Sequence, residues 1–211
     1  LAQQAILGLP IERLERLAVG NDLKRWWEHF LKEFPRLKSL GHLHTETSLS
    51  APLGEHRLVA KYDLIAIRDG KATIYDWKTS HKRPRDEWMA ARLQTLVYRY
   101  LLVISGAHLN GGTPFEPEQV EILYWYTDFP SEPSRFPYSA AHFKRDAASL
   151  EKLVSEITSA ADFPPTEEEA KCRYCPYRSY CGRGIEAGNW KDAETESELA
   201  SPPSIGGDSS H

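Results

Sequence analysis

The sequence predicts an α/β fold, because segments with strand periodicity and segments with helix periodicity follow one another along the chain. Runs rich in β-branched and aromatic residues predict strands. These runs occupy 42–50, 56–67, 72–78 and 119–127. Apolar residues at helical spacing predict helices. These segments occupy 9–34, 86–104 and 139–160. Three cysteines confined to 172–181 predict a C-terminal cysteine knuckle.

The overall composition is that of a soluble globular protein. The 211 residues suffice for one domain with a real core, and 41% of them are hydrophobic and 27% charged. No apolar run approaches the ~20 residues that a membrane span needs. Without a basic and then apolar leader, we expect a cytoplasmic protein. The net charge of −4 counts against extensive phosphate binding, but a local basic groove can sit in an acidic protein.

Turn and cap residues set the predicted boundaries. Gly20-Asn21 is a break point in the first helix, and Gly106 ends the helix that begins near Asp86. Asp69-Gly70 lies between two strand-like runs and predicts a tight hairpin turn. Ser139 is a suitable N-cap for the last helix.

The remaining segments are predicted to lack regular structure. Three prolines between 128 and 138 predict a loop there. From residue 185 the chain is acidic and then rich in Ser, Pro and Gly. We therefore expect one domain over 1–184 and a disordered tail over 185–211.

The central motif is Asp63 on one strand and Asp76-Trp77-Lys78 on the next. Because side chains alternate along a strand, Asp76 and Lys78 point to the same face. A tight turn at Asp69-Gly70 pairs the strands antiparallel, so that Asp63 approaches Asp76 at the far end of the hairpin. The pattern predicts two carboxylates and a lysine at one place.

Neighbouring carboxylates repel each other, and burying them is costly unless a cation neutralises them. Mg²⁺ prefers carboxylate oxygens together with water and phosphate oxygens, and it would polarise a phosphodiester. Lys78 could position or activate a water molecule, or neutralise charge in the transition state. The alternative is that both aspartates face solvent and Lys78 simply pairs with one. Aspartate is a poor strand former, and two aspartates inside apolar runs disfavour that alternative.

The following helix adds Gln94 and Tyr98, which lie four residues apart and so on one helical face. Together, Lys61-Tyr62-Asp63-Leu64-Ile65, then Tyr75-Asp76-Trp77-Lys78-Thr79, then Gln94 and Tyr98 resemble the PD-(D/E)XK nuclease superfamily, in its RecB-like branch. The resemblance implies a restriction-endonuclease-like core, in which helices flank a mixed central sheet. It covers about residues 40–184.

The resemblance also implies roles for individual residues. Asp63 and Asp76 would bind Mg²⁺ or Mn²⁺ with help from the backbone carbonyl of Trp77, and Lys78 would be the catalytic lysine. Gln94 and Tyr98 would support the site and contact DNA, and Glu46 matches an acidic residue on the preceding strand. The implied activity is metal-dependent cleavage of DNA, as an exonuclease or in end processing during repair or recombination.

The cysteines form a C-x2-C-x5-C motif, a spacing that suits zinc or an iron–sulfur cluster. It resembles the triplet of RecB-like nucleases that hold a 4Fe-4S cluster, such as AddB-type subunits and CRISPR-associated exonucleases. The motif consists of Cys172, Cys175 and Cys181. The fourth cysteine of that family is absent from this chain. So is the histidine ligand expected after Gly20, for which His29 is a poorly spaced substitute.

A basic segment follows Lys78 and could hold phosphates. Its candidate DNA-binding residues, with one from the next helix, are Lys82, Arg83, Arg85 and Arg92. The expected partner is DNA, single-stranded or with free ends, acting with a helicase or recombination protein. Two alternatives stay open. One is an inactive DNA-binding or scaffolding module with the nuclease fold, and the other is a zinc-ribbon binding protein with an incidental core.

Overall fold

The computed structural model describes residues 1–167, Cys172, Cys175 and residues 177–184. Six helices and five strands follow one another in this part of the chain. The helices are α1 (Ala2–Ile6), α2 (Ile11–Glu15), α3 (Asn21–Lys38), α4 (Asp86–Ala91), α5 (Leu93–Ser105) and α6 (Ala140–Ser159). The strands are β1 (His42–Leu53), β2 (His56–Arg68), β3 (Lys71–Lys78), β4 (Val120–Tyr126) and β5 (Phe129–Pro137).

The strands form one mixed sheet in the order β1-β2-β3-β4-β5. β3 and β4 are parallel, whereas the other neighbouring pairs are antiparallel. The parallel pair needs a crossover connection, which α4 and α5 supply. The predicted α/β class with a mixed sheet flanked by helices is therefore confirmed.

Two apolar clusters cover the two faces of the sheet. One includes side chains of α1, α2 and α3 together with Leu64, Tyr75 and Trp125. The other includes side chains of α5 and α6 together with Ile74 and Tyr124. The sheet is thus the middle layer of three, and the ends of its strands are the places where polar side chains can meet.

The predicted break at Gly20-Asn21 is confirmed, because α3 begins at Asn21, but the predicted end of this helix at residue 34 is wrong. Gly20 has a left-handed φ of 89° at the start of α3, where glycine adopts this conformation without steric cost. α3 continues past Pro35 to Lys38. Pro35 removes one backbone hydrogen bond from the helix. The burial of Leu37 against the core stabilises the last turn in spite of this loss.

The predicted loop over 128–138 is also wrong, because residues 129–137 form strand β5. Its prolines do not exclude a strand here, since β5 lies at the edge of the sheet and one side of its backbone needs no strand partner. Edge prolines also disfavour pairing with another chain. The prolines of this segment are thus typical of an edge strand and do not indicate a loop.

The single helix expected over 86–104 is interrupted at Arg92, whose ψ of 138° is extended. α4 ends there and α5 starts in a new direction. The Thr95 hydroxyl fixes the junction, since it lies 2.5 Å from the Met89 carbonyl oxygen and 2.7 Å from the Tyr124 hydroxyl. The new direction brings the first turn of α5 over β3.

The β1–β2 hairpin changes its packing partners at Asp63. Leu64 belongs to the cluster on the α3 side, whereas Tyr62 belongs to the cluster on the α5 side. Opposite Asp63, the regular pairing of β1 skips Glu46, which has a left-handed φ of 51°. The hairpin is therefore distorted at the level of its acidic residues, a common position for irregular strands near functional sites.

The predicted cysteine knuckle is described only in part, and the predicted tail over 185–211 lies outside the described residues. The three cysteines are free thiols, and the Cys175 backbone N–H donates to the Cys172 carbonyl over 3.2 Å. None of the helices described between residues 1 and 184 has the length and apolar character that crossing a bilayer demands.

A buried ion pair joins α5 to α6. Arg99 Nη2 lies 3.4 Å from Asp146 Oδ2, and both side chains are almost fully buried. Burial raises the pKa of Asp146 and lowers that of Arg99, so desolvation outweighs their mutual attraction. The Arg99 guanidinium also lies 4.6 Å from the centre of the Tyr138 ring.

We expect Arg99→Met to lower the free energy of unfolding at pH 7 by about 3–5 kcal/mol, because the buried Asp146 carboxylate then keeps, of its ion-pair partners among the described residues, only the more distant and exposed Arg145, with its Nε 3.9 Å away. The loss should shrink at acidic pH, where Asp146 takes up a proton. Urea denaturation at pH 7 and pH 5 measures both effects. The double variant Arg99→Met/Asp146→Leu should regain much of the stability, and the exposed Lys144→Ala is the neutral control. An equal loss at both pH values would contradict this account.

Candidate active site

Asp63 and Asp76 lie side by side on β2 and β3. The antiparallel register pairs Leu64 with Tyr75, so that Asp63 and Asp76 are one step further from the turn. The Trp77 backbone N–H donates to Asp63 Oδ2 over 2.9 Å. Burial and then the charge of Asp76 raise the pKa of Asp63. The structure thus brings the two carboxylates together at the end of the hairpin away from its turn.

Asp76, Lys78 and Gln94 form a closed triangle of polar contacts. Lys78 Nζ lies 2.9 Å from Asp76 Oδ2, and Gln94 Nε2 donates to Asp76 Oδ1 over 2.8 Å. Lys78 Nζ donates to Gln94 Oε1 over 3.1 Å. Asp76 is only 4% exposed, so these contacts fix its orientation in a low-dielectric environment. The Gln94 amide therefore orients the aspartate and the lysine together.

One oxygen of this triangle has unused capacity. Asp76 Oδ2 is buried and accepts no hydrogen bond of good geometry, although Lys78 Nζ is close. The Lys78 ammonium offsets the charge of this oxygen, and a divalent cation is a second positively charged group that it would attract. The available donors, two carboxylates and the Trp77 carbonyl, are oxygens, which suit Mg²⁺ or Mn²⁺ better than zinc.

Side-chain ligands are few. In the described part of the chain, no three or more His, Cys, Asp or Glu side chains lie together in a way that could hold a metal ion. The three cysteines are all described, and they do not form such a group either. A cation at the acidic pair would depend on backbone carbonyl, water and substrate oxygens besides Asp63 and Asp76, which is usual for Mg²⁺.

Glu46 lies on β1 across from Asp63, at the position that the strand pairing skips. Its carboxylate forms an ion pair with Lys61 Nζ, and its negative charge contributes to the raised pKa of Asp63. The structure therefore adds a third carboxylate at the same level of the sheet.

Tyr98 joins α5 to β2 through two reciprocal hydrogen bonds. Its hydroxyl donates to the Lys61 carbonyl over 2.7 Å, and the Tyr62 hydroxyl donates to the Tyr98 carbonyl over 2.8 Å. Burial raises the pKa of Tyr98, while a hydrogen bond from Gln94 acts against that rise. Tyr98 thus supports the acidic site from the side, by fixing the helix that carries Gln94.

The predicted DNA-binding residues are held in different ways. Arg83 Nη2 donates to Asp86 over 2.9 Å and to the Ser134 hydroxyl over 3.3 Å, so it connects α4 with β5. The Arg85 guanidinium lies 5.6 Å from the centre of the Trp88 ring, and Lys82 is exposed. Arg92 Nη1 lies 3.9 Å from the sulfur of Met89. Arg83 thus has several internal contacts, which hold it against the protein.

The sequence analysis missed a polar cluster around Asp128, just after β4. Its carboxylate accepts from Arg25 Nε over 3.0 Å and Trp26 Nε1 over 2.6 Å, and it lies 2.7 Å from His81 Nδ1. Burial opposes ionisation of Asp128, but hydrogen bonds from His81, Trp26 and Arg25 outweigh it and lower its pKa. The sequence offered one indication of this cluster. Asp128 follows the carboxyl end of a predicted strand, and ligand sites in α/β folds often lie at such ends.

This cluster fixes the end of β3. The Thr127 backbone N–H and hydroxyl both donate to the Lys78 carbonyl, over 2.9 and 3.2 Å. His29 Nδ1 lies 2.6 Å from the Thr127 carbonyl, so the histidine considered as a substitute metal ligand contacts the scaffold instead. Helix α3 thereby holds the backbone of Lys78 in place at the end of its strand.

Fold and site define a class of α/β protein in which a β-hairpin and the next helix carry an acidic, lysine-containing site. The chain belongs to the PD-(D/E)XK nuclease superfamily, whose family model matches residues 3–182. The superfamily predicted from the motifs is thus confirmed.

The solved structures that are similar to this chain include the following two. A protein named SSO0001 is 17% identical with a TM-score of 0.47, covering 75% of this chain and 69% of its own. A protein from Eubacterium rectale, described as a putative exonuclease, is 8% identical with a TM-score of 0.43, covering 76% of this chain and 71% of its own. Similarities of this size carry no argument about activity. No curated protein sequence matches the chain.

We expect Asp63→Asn to raise the melting temperature of the metal-free protein at pH 7. The folded-state pKa of Asp63 is raised, so ionisation disfavours the folded state, and stability falls as pH rises from the unfolded pKa through the folded one. The asparagine oxygen can still accept from the Trp77 N–H. Thermal melts from pH 3 to pH 7 should show the gain above about pH 4 and none below it. A lower melting temperature at pH 7 would contradict this.

Proposed function

We propose that the protein is a divalent-metal-dependent DNA nuclease of the RecB-like branch, acting on single strands or free ends. The observation that carries the proposal is the buried triangle of Asp76, Lys78 and Gln94 beside Asp63, in which Asp76 Oδ2 lies 2.9 Å from the Lys78 ammonium. An ordinary surface ion pair would need neither burial nor a glutamine bonded to both partners.

Asp63, Asp76 and the Trp77 carbonyl would hold a Mg²⁺ or Mn²⁺ ion. Glu46 is paired with Lys61 and would join them only after it turns away from that lysine. When bound, the ion supplies Lewis acidity toward a phosphodiester oxygen and makes water more acidic. The protein's own contribution is the preorganised geometry. The Trp77 N–H and the Gln94 amide orient the two carboxylates before any substrate arrives.

Lys78 is the residue that acts on the phosphate or on the attacking water. Its side chain is 14% exposed, and contacts with Asp76 and Gln94 fix the direction of its ammonium. It also lies 5.2 Å from the centre of the Tyr124 ring, a favourable position for a cation. A cation held in this way stabilises negative charge that develops on the phosphate without having to reorganise first.

The DNA would lie across the segment that follows β3. Lys82 and Arg85 are exposed there and suit phosphate contacts, with Arg92 at the start of α5. Arg83 supports the segment through Asp86 and Ser134. Repair or recombination work alongside a helicase is part of this proposal, and so is one catalytic domain over residues 1–184.

The cysteines are proposed as ligands of a structural 4Fe-4S cluster, or less favourably of zinc, with a fourth ligand from outside this chain. This part of the proposal is supported by the C-x2-C-x5-C spacing alone, because the described thiols do not form a ligand group. An Arg183 guanidinium nitrogen lies 2.9 Å from Cys172 Sγ and would have to move. Iron and zinc analysis of anaerobically purified protein tests it.

A second candidate is an inactive DNA-binding module that keeps the fold. It is favoured by the position of His29, which contacts the Thr127 carbonyl. The experiment that separates the two is DNA cleavage with Mn²⁺.

We expect wild-type protein to degrade fluorescent single-stranded DNA with Mn²⁺ and not with EDTA. Lys78→Met should lower kcat on the order of 100-fold or more, because transition-state charge loses its preorganised cation. Lys152→Met, an exposed lysine on α6, is the matched control and should retain activity. Thermal melts verify folding. Robust activity in Lys78→Met would sink the assignment, and binding without cleavage by the wild type would favour the inactive module.

A further inference from the structure

Lys61 lies two residues before Asp63 and has no role in the function proposed above. Its ammonium forms an ion pair with Glu46 on the neighbouring strand. The Lys61 side chain is 64% exposed and that of Glu46 is 35% exposed, so solvent reaches this pair. An ion pair this exposed is weak, and another cation can replace the lysine at low cost.

The backbone of Lys61, by contrast, is fixed beside the acidic site. Its carbonyl accepts the Tyr98 hydroxyl, and the next residue, Tyr62, donates to the Tyr98 carbonyl. A displaced ammonium would therefore stay within one side-chain length of the site. The backbone of Lys61 is therefore fixed, whereas its ammonium can leave Glu46.

The acidic row, which consists of Glu46, Asp63 and Asp76 on neighbouring strands, has more negative than positive charges. Glu46, Asp63 and Asp76 contribute three carboxylates, whereas Lys61 and Lys78 contribute two ammonium groups. The hydrogen bond and charge of Glu46 raise the pKa of Lys61, to which Asp63 also contributes. Lys61 thus neutralises the carboxylate that a divalent cation at this row would also attract.

We propose that Lys61 is an exchangeable counter-cation, which occupies Glu46 until a divalent ion binds and then contacts a nucleic-acid phosphate with its released ammonium. This inference rests on the proposed function, because it requires a metal ion at the acidic row. Lysine and metal compete for the same carboxylate, and a released ammonium beside a bound cation would next meet the substrate's negative charge.

Metal binding provides the first test. Calorimetric titration with Mn²⁺, without DNA, should show that Lys61→Met binds the ion about two- to fivefold more tightly than wild type, because the competing cation of a weak pair is gone. Lys71→Met is the matched control, since Lys71 is exposed at the turn end of the same hairpin. Its Mn²⁺ affinity should equal that of wild type.

DNA binding provides the second test. Here Lys61→Met should weaken an interaction, whereas it should strengthen Mn²⁺ binding in the first test. Anisotropy with an oligodeoxythymidine probe, in the Lys78→Met background to prevent cleavage, gives the slope of log affinity against log salt. With Mn²⁺, Lys61→Met should make this slope shallower by about 0.7, the loss of one phosphate contact on a single strand. With EDTA the slope should not change, because Lys61 then remains on Glu46.

Tighter Mn²⁺ binding and a slope change confined to Mn²⁺ would support the inference. Unchanged or weaker Mn²⁺ binding in Lys61→Met would overturn it, and so would an equal slope change with Mn²⁺ and EDTA. If wild-type protein binds no Mn²⁺, the proposed function fails and this inference with it. If it binds and cleaves but Lys61→Met behaves like Lys71→Met, only this inference fails.

Discussion

Repulsion between two carboxylates on adjacent strands is the constraint around which this site is built. Asp63 and Asp76 cannot separate, because the hairpin register fixes their backbones. Nor can water solvate Asp76 well, since it is buried. The remaining solution is local compensation by directed donors, which the Trp77 N–H, Lys78 and Gln94 supply. The site is therefore costly to maintain and exists only because neighbouring elements hold it.

Features of the fold that look irregular follow from this constraint. The interruption at Arg92 turns α5 so that Gln94 reaches Asp76, whereas a continuous helix would keep the direction of α4. At the other end of the site, Thr127 holds the last residue of β3, where a strand would otherwise fray. Asp128 in turn ties this corner to α3 through Arg25 and Trp26. All three layers of the fold thus contribute to the position of Lys78.

The sequence predicted the parts of this arrangement that depend on local periodicity. Alternation along two strands and one tight turn suffice to place Asp63, Asp76 and Lys78 at one end of a hairpin. Strand β5 was missed because proline content does not distinguish an edge strand from a loop. The break at Arg92 was missed because helix propensity continues through it, and tertiary contacts of Thr95 decide the direction. The Asp128 cluster joins residues about a hundred positions apart, which no local pattern encodes.

The fold contains two charge systems of different kinds, a buried ion pair between α5 and α6 and a partly exposed acidic row on β1, β2 and β3. Arg99 and Asp146 form a pair of equal and opposite charges, and Arg99 is further enclosed by backbone carbonyls and an aromatic ring. The acidic row of Glu46, Asp63 and Asp76 has three carboxylates against two lysines. Replacing Lys61 by a divalent ion would balance those charges, since two positive charges and that of Lys78 equal the three carboxylates. A closed pair holds two helices together, whereas a row with one negative charge to spare is suited to accept a cation.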